Sequence, residues 1–301
     1  MPIEWAIILV VVVSDAILLA ETSFRLEASP QLRIAVVWIL MAVVFVVCRW
    51  RRFPRLAHFA HTWLTLSLFT NAAVILNFIL TGILPLPRWD EALATADRAL
   101  GLNWLDMYQW LTRHPAIEAS AHTVYSSLGP EMLVLLIALE LLGHHSQART
   151  FLRWFMVSAI ATLGIGTLFP AAGAFVYYHL PVASISGYVS QWADLRNGTL
   201  RTVNPLDNQG LVVFPSFHTA LAVLCACAAW PLRLLKFPLM ALNLLIILSS
   251  PAMGGHYFVD IIAGFILAAL TISVPGYVSS GIWRPLMKTI RLGDAPALSL
   301  K

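Results

Sequence analysis

The sequence predicts an all-α polytopic membrane bundle of about eight transmembrane helices, and three observations carry that reading. Only 11% of the 301 residues are charged and 59% are hydrophobic, where a soluble domain holds roughly 25% charged residues. Mean hydropathy is +0.79, so the chain has too little polar surface to cover a water-soluble globule. Apolar stretches close to the ~20 residues that a helix needs to cross the hydrocarbon core recur along its length.

Taken in order, the predicted spans are 3–20, 32–48, 59–84, 118–142, 152–178, 216–233, 238–253 and 256–278. The run from Ile3 to Ala20 lacks the basic start and small-residue cleavage site of a signal peptide and reads as an uncleaved span. The 238–253 span is short, with room for tilt or partial re-entry. Two stretches read as non-spanning. Residues 86–117 mix charges with Leu, Trp and Tyr, the pattern of an interfacial amphipathic helix pair, broken near Gly101 and Pro115. Residues 180–215 are polar and carry Gly and Pro, which predicts a long loop of the kind that often carries function. The whole is one membrane domain: 1–58 holds two accessory helices, 59–278 the core and 279–301 a cytoplasmic tail.

Charge sets the expected orientation. Arg49, Arg51, Arg52 and Arg55 follow the second span, Arg149 and Arg153 the fourth, Arg233 and Lys236 the sixth, and Arg284, Lys288, Arg291 and Lys301 the last. Every second loop is therefore basic, and positive-inside sorting puts these loops and both termini in the cytoplasm. Residues 86–117, 180–215 and the turn between the last two spans then lie outside. The net charge of +4 reads as orientation charge, and no nucleic-acid motif accompanies it. Abundant Ala and Leu with Arg over Lys point to a bacterial inner membrane. Cys48, Cys225 and Cys227 form no disulfide or metal pattern. Trp104, Trp110 and Trp192 fall where an aromatic belt is expected.

Two motifs sit at the predicted outer helix ends: Phe214-Pro215-Ser216-Phe217-His218, and Gly254-Gly255-His256-Tyr257-Phe258-Val259-Asp260. A single histidine near a helix end is ordinarily a hydrogen-bonded interfacial residue. An aspartate inside a span is costly and is a functional candidate by default. Asp260 lies one turn after His256 and shares its helix face, where a carboxylate can fix the imidazole tautomer and stabilise its cation. Pro215 and Ser216 read as helix-start residues ahead of His218, and a helix N-terminus offers N–H groups to a phosphate. Gly254 and Gly255 leave backbone open to a ligand. Among other polar residues of the spans, Glu131 follows Gly129-Pro130, where a kink aims it at the cleft or a bond ties it to a neighbouring helix. His122 and Tyr125 share its span, and Asp15 and His61 read as packing residues.

At these motifs the chain resembles the type 2 phosphatidic acid phosphatase superfamily, whose signatures are Lys-x6-Arg-Pro, Pro-Ser-Gly-His and Ser-Arg-x5-His-x3-Asp. Pro215-Ser216-Phe217-His218 matches the second with Phe217 in place of Gly. Ser249, His256 and Asp260 match the third with Ser250 in place of Arg, and the first is absent. These departures are similar to the inositol phosphorylceramide synthase (aureobasidin-resistance) branch. The resemblance implies a six-helix phosphatase-like core that includes span three. It also implies phosphotransfer in which His256 becomes a phosphohistidine, Asp260 orients it and His218 protonates the leaving oxygen. Ser216, Phe217, Gly255 and Tyr257 would border the phosphate. With the family Lys and Arg missing, Arg196 and Arg201 of the outer loop and Glu131 of span four are the candidates to complete the site. The implied partners are membrane lipids, with a phospholipid or sphingolipid substrate and neither cofactor nor metal.

Two other readings use the same residues. A proton-coupled transporter would use intramembrane His and Asp as a relay, but the two halves show no repeat. A metal-dependent hydrolase could ligate zinc with His218, His256 and Asp260, but no HExxH-type helix is present. The orientation is checked by labelling: a cysteine introduced near residue 200 is expected to react with an impermeant thiol reagent from outside, and one near residue 146 is not. The opposite pattern would overturn the topology.

Overall fold

A computed structural model describes residues 2–180, 187–207 and 210–274 of the chain. The basic tail residues Arg284, Lys288, Arg291 and Lys301, and the end of the predicted last span, lie outside the described residues. The rest is helical: α1 (Ile3–Glu21), α2 (Ala28–Trp50), α3 (Pro54–Ile83), α4 (Asp90–Ala99), α5 (Trp104–Thr112), α6 (Pro115–Ser126), α7 (Leu128–Leu141), α8 (His145–Leu168), α9 (Ala174–Tyr177), α10 (Gly187–Asn197), α11 (Phe217–Ala228), α12 (Lys236–Met253) and α13 (Phe258–Ser273). A parallel pair of two-residue strands, β1 (Arg25–Leu26) and β2 (Thr202–Val203), ties the α1–α2 connection to the segment after α10.

The predicted bundle is present, with corrections. Helices α1, α2, α3, α8 and α12 are each long and apolar enough to cross a membrane, and α6 with α7 makes a sixth if counted as one bent span. Helices α11 and α13, of 12 and 16 residues, fall short of a full crossing by length,. The expected eight spans are thus six by length plus two shorter apolar helices. The fourth span bends by 43° at Ser127, just before the Gly129-Pro130 pair. Pro130 sits in the first turn of α7, where its missing N–H costs nothing.

The expected 152–178 span is displaced. Helix α8 starts at His145 and stops at Leu168, because Pro170 cannot continue the hydrogen-bond ladder and Gly173 takes φ +93°,. The long loop also contains structure that its composition concealed. Tyr188, Trp192 and Leu195 are the buried residues of α10, and their i, i+4, i+7 spacing is a helical stripe. Two short helices, α4 and α5, occupy the stretch where an amphipathic pair was expected, interrupted at Gly101 with φ +74°.

Helix starts follow local chemistry. Pro54 and Pro115 occupy the first turns of α3 and α6,. Asn103 caps α5 by accepting the Asp106 N–H, and Ser216 caps α11 by accepting the Thr219 N–H,. The main core is built on α3, α7, α8, α11, α12 and α13, with Phe69, Leu135, Phe151, Trp154, Met156, Leu224 and Ile246 among its buried side chains. Helix α2, by contrast, buries only Pro30 and Cys48, so most of its apolar surface faces outward, as lipid contact requires.

In lipid, helices associate through close packing more than through water exclusion. One close approach lies between the two helices that carry the motifs. A Cβ on Gly264 of α13 would stand 2.5 Å from the Ser216 carbonyl oxygen at the start of α11. Gly264→Val is expected to push α13 from α11, at an overpacking cost of about 1–3 kcal/mol. A lower melting temperature in detergent checks this, and an unchanged one would show that the contact yields freely.

Candidate active site

The second histidine motif begins where α12 ends. Gly255 takes φ +63°, and a Cβ there would meet the rings of Phe175 and Tyr188, while one on Gly254 would meet the Tyr125 hydroxyl and the His256 ring. The glycines therefore make room for aromatic rings, and Gly254 also lines the cavity described below. The turn carries His256 into a buried position, 4% exposed. Its Nδ1 lies 2.8 Å from the Val213 carbonyl oxygen. A carbonyl can only accept, so Nδ1 carries the proton and Nε2 keeps its lone pair.

Asp260 was expected to orient this ring directly. Its Oδ2 instead accepts the Tyr257 N–H at 2.8 Å and stands 3.6 Å from His256 Nδ1. The carboxylate is close enough to stabilise a cation, while the Val213 carbonyl sets the tautomer. Asp260 also fixes the other motif, since its backbone carbonyl accepts the Ser216 N–H at 3.1 Å. That bond and the Gly264 contact hold the start of α11 against the start of α13.

His218 lies in the first turn of α11. Its ring stacks on Tyr125 at 4.3 Å between centroids, and its Nδ1 is 3.2 Å from the Tyr125 hydroxyl. The His218 and His256 rings are 6.3 Å apart, centroid to centroid. Both line a cavity of about 490 Å³, together with His122, Tyr125, Tyr188 and Gly254. Helix α3 supplies much of the opposite wall through Phe69, Thr70, Val74 and Asn77. No lysine or arginine lines this cavity among the described residues.

The other expected site residues are distributed as follows. Phe217 lines the cavity, while Ser216 caps α11 and Gly255 shapes the turn. Tyr257 is buried and donates its hydroxyl to Asp90 Oδ1 at 3.1 Å. Glu131 is buried against α12, where it accepts a hydrogen bond from the Asn243 side-chain amide; of its two expected placements, the bond to a neighbouring helix is the one found. Arg196 donates to the Leu84 and Leu86 carbonyls and packs over Trp192. Arg201 donates to the Gly82 and Leu195 carbonyls and lies over Phe24. Neither arginine is brought to the histidines.

Sequence reasoning missed the groups that hold the motif in place. Asp97 of α4 is fully buried and accepts the Phe258 and Val259 N–H groups, both at 2.9 Å, at the start of α13. Burial raises its carboxyl above the ordinary range, and those two hydrogen bonds oppose the rise. Asp90 accepts the Ala172 and Gly173 N–H groups. Trp104, expected in an interfacial belt, is wholly buried and donates Nε1 to the His256 carbonyl at 2.9 Å and the Pro251 carbonyl at 3.1 Å. The one available signal was Asp90 and Asp97 recurring seven residues apart on an otherwise amphipathic helix.

Asp97→Ala removes an α13 cap and leaves two buried N–H groups unsatisfied. The expected loss is about 0.5–2 kcal/mol of stability, with reduced turnover as His256 shifts, and Asp97→Asn is expected to retain more of both. Thermal unfolding in detergent read beside kcat checks it; wild-type values for Asp97→Ala would mean that the cap positions nothing.

No curated protein and no solved structure matches the chain. A family model described as the PAP2 superfamily matches residues 91–274, a stretch running from α4 through α13 that includes His218, His256 and Asp260. The match spans more than half of the sequence, and the chain belongs to the PAP2 superfamily.

Proposed function

We propose that this protein is a lipid phosphatase or phosphotransferase that works through a phosphohistidine on His256, at the outer face of its membrane. Superfamily membership supports phosphatase-type activity on lipid phosphates in general. The observation that carries the finer reading is the histidine pair in one cavity, 6.3 Å between ring centroids, a spacing at which both rings can reach one phosphorus.

In the first step the Nε2 lone pair of His256 attacks phosphorus and the bond to the leaving oxygen breaks. His218 gives its proton to that oxygen, its Nδ1–H being held by the Tyr125 hydroxyl oxygen. The Val213 carbonyl keeps the attacking ring in the right tautomer, and the Asp260 carboxylate offsets the positive charge of the phosphorylated ring. In the second step water or a lipid hydroxyl attacks the phosphohistidine, His218 takes its proton and the P–N bond breaks. The N–H groups in the first turn of α11 and the positive end of its dipole support the phosphoryl oxygens. They do part of what a basic clamp does elsewhere, because Arg196 and Arg201 are engaged with backbone carbonyls.

A metal-dependent reading finds less support: among the described residues, no three His, Cys, Asp or Glu side chains converge to hold an ion. The phosphohistidine reading predicts inhibition by vanadate and indifference to chelators. His256→Ala is expected to abolish turnover of both a lipid phosphate and a nitrophenyl phosphate ester. His218→Ala is expected to lose much less on the nitrophenyl ester, whose leaving group needs little protonation. Acid-labile phosphate trapped on the wild type should vanish in His256→Ala. Label that persists there and disappears in His218→Ala would invert the two roles.

A further inference from the structure

A second concavity, of about 260 Å³, opens between α2, α3 and α7 beside the catalytic cavity. Ile34, Trp63, Leu66, Met132, Leu133 and Leu206 make it largely apolar. Thr70 and Val74 of α3 line both spaces, so the groove adjoins the cavity that holds the histidines. From Trp63 to Val74 it follows α3 for about 16 Å, at 1.5 Å of rise per residue. Its polar features are few. Ser67 accepts the Trp38 indole N–H at 3.0 Å, which fixes α2 against α3. Asn71 also lines the groove, and its Nδ2 is buried with no hydrogen-bond partner. An unmade amide hydrogen bond in an apolar setting is costly, so this donor points to an acceptor that arrives with a ligand. Helices α2 and α3 both precede residue 91, where the family match begins.

We propose that this groove seats an acyl chain of the lipid whose phosphate reaches the histidines, and that Asn71 donates a hydrogen bond from Nδ2 to the carbonyl that joins the chain to the lipid backbone. An apolar groove adjoining the cavity that holds the histidine pair matches a molecule with a charged head and a hydrocarbon tail. One amide donor in its wall matches the single polar group such a tail carries. The inference rests on the lipid-phosphate reading above for the identity of the head, while the tail site can be read without catalysis.

Two measurements test it. The wild type in nanodiscs is irradiated with a phospholipid bearing a diazirine in its acyl chain, and labelled residues are mapped by mass spectrometry. Labelling at Val74, Met132 and Leu133 is expected to exceed that at Leu244 and Leu248, exposed on α12, and the excess should disappear in Leu133→Trp. Equal labelling at the two sets would overturn the proposal. In kinetics, the ratio of kcat/KM for a long-chain phosphatidate to that for its dibutyryl analogue is expected to fall about tenfold in Leu133→Trp, the scale of losing one or two buried methylenes. Asn71→Leu is expected to erase about a fivefold preference for ester-linked over ether-linked chains, the scale of one hydrogen bond. Unchanged ratios in both variants would overturn it. Turnover that survives His256→Ala would instead sink the catalytic reading, and the photolabelling would then decide the groove alone.

Discussion

Asp90, Asp97 and Asp260 are buried carboxylates that accept hydrogen bonds chiefly from backbone N–H groups, and the histidine end of the bundle is assembled around them. A carboxylate taken out of water without partners is expensive, whereas Asp90 and Asp97 each accept two N–H groups, which offsets that cost and orders the chain that donates them. Asp90 gathers the Ala172–Gly173 turn and the Tyr257 hydroxyl, Asp97 the first amides of α13, and Asp260 the Tyr257 amide. Among the described residues, the one arginine or lysine within 4.0 Å of these carboxylates is Arg88, 4.0 Å from Asp90 and largely exposed. The carboxylates thus act as caps and staples more than as ion-pair partners. Because Trp104 holds the His256 carbonyl and the Asp260 carbonyl holds the Ser216 amide, both histidines are referenced to the same rigid junction.

Much of this bundle was legible because lipid imposes a simple rule on sequence. A helix crossing hydrocarbon must satisfy its own backbone and present apolar side chains, so α1, α2, α3 and α12 announce themselves by composition. The two histidine motifs were legible for a different reason: Ser216 caps through its own side chain and Asp260 sits one turn from His256, and both relations are local. What stayed hidden depends on contacts between distant parts of the chain. Asp97 bonds Phe258 across 161 residues of sequence and Trp104 bonds His256 across 152, and neither partnership leaves a spacing to read. Those residues resembled surface charge and belt aromatics because composition cannot distinguish a residue facing headgroups from one facing a buried carbonyl. The end of α8 was misplaced for a related reason. Residues 169–178 are apolar because they pack against α4, Tyr188 and Tyr257, not because they continue a span.

Arg196 and Arg201 show the same limit from the other side. Each looked free to meet an anion, as arginines in a long polar loop do. In the fold each guanidinium satisfies carbonyls at the end of α3 or just beyond it, and each lies over an aromatic ring. A planar five-donor fork suits that task, and it leaves the cavity wall without a lysine or arginine among the described residues. In the proposed reaction, charge developing at phosphorus would then be met by groups that are neutral or only transiently charged: helix amides, Tyr125 and the histidines. Such donors are fixed before the substrate arrives and cost little reorganisation during the reaction.

The position of α3 gives this arrangement a division of labour. The groups argued to touch phosphorus stand on α11 and on the α12–α13 turn, within the segment that matches the superfamily. Phe69, Thr70, Val74 and Asn77, which face them across the cavity, belong to α3 and precede that segment. Helix α3 is in turn held from both sides of that boundary, by α2 through the bond from Trp38 to Ser67 and by Arg201 of the matched segment, which donates to the Gly82 carbonyl. Phe69 of α3 also packs on Phe155, which packs in turn on Phe217 beside His218, so the wall and the histidine end share one core. In the proposed reaction the two tasks therefore fall to different helices but rest on shared packing.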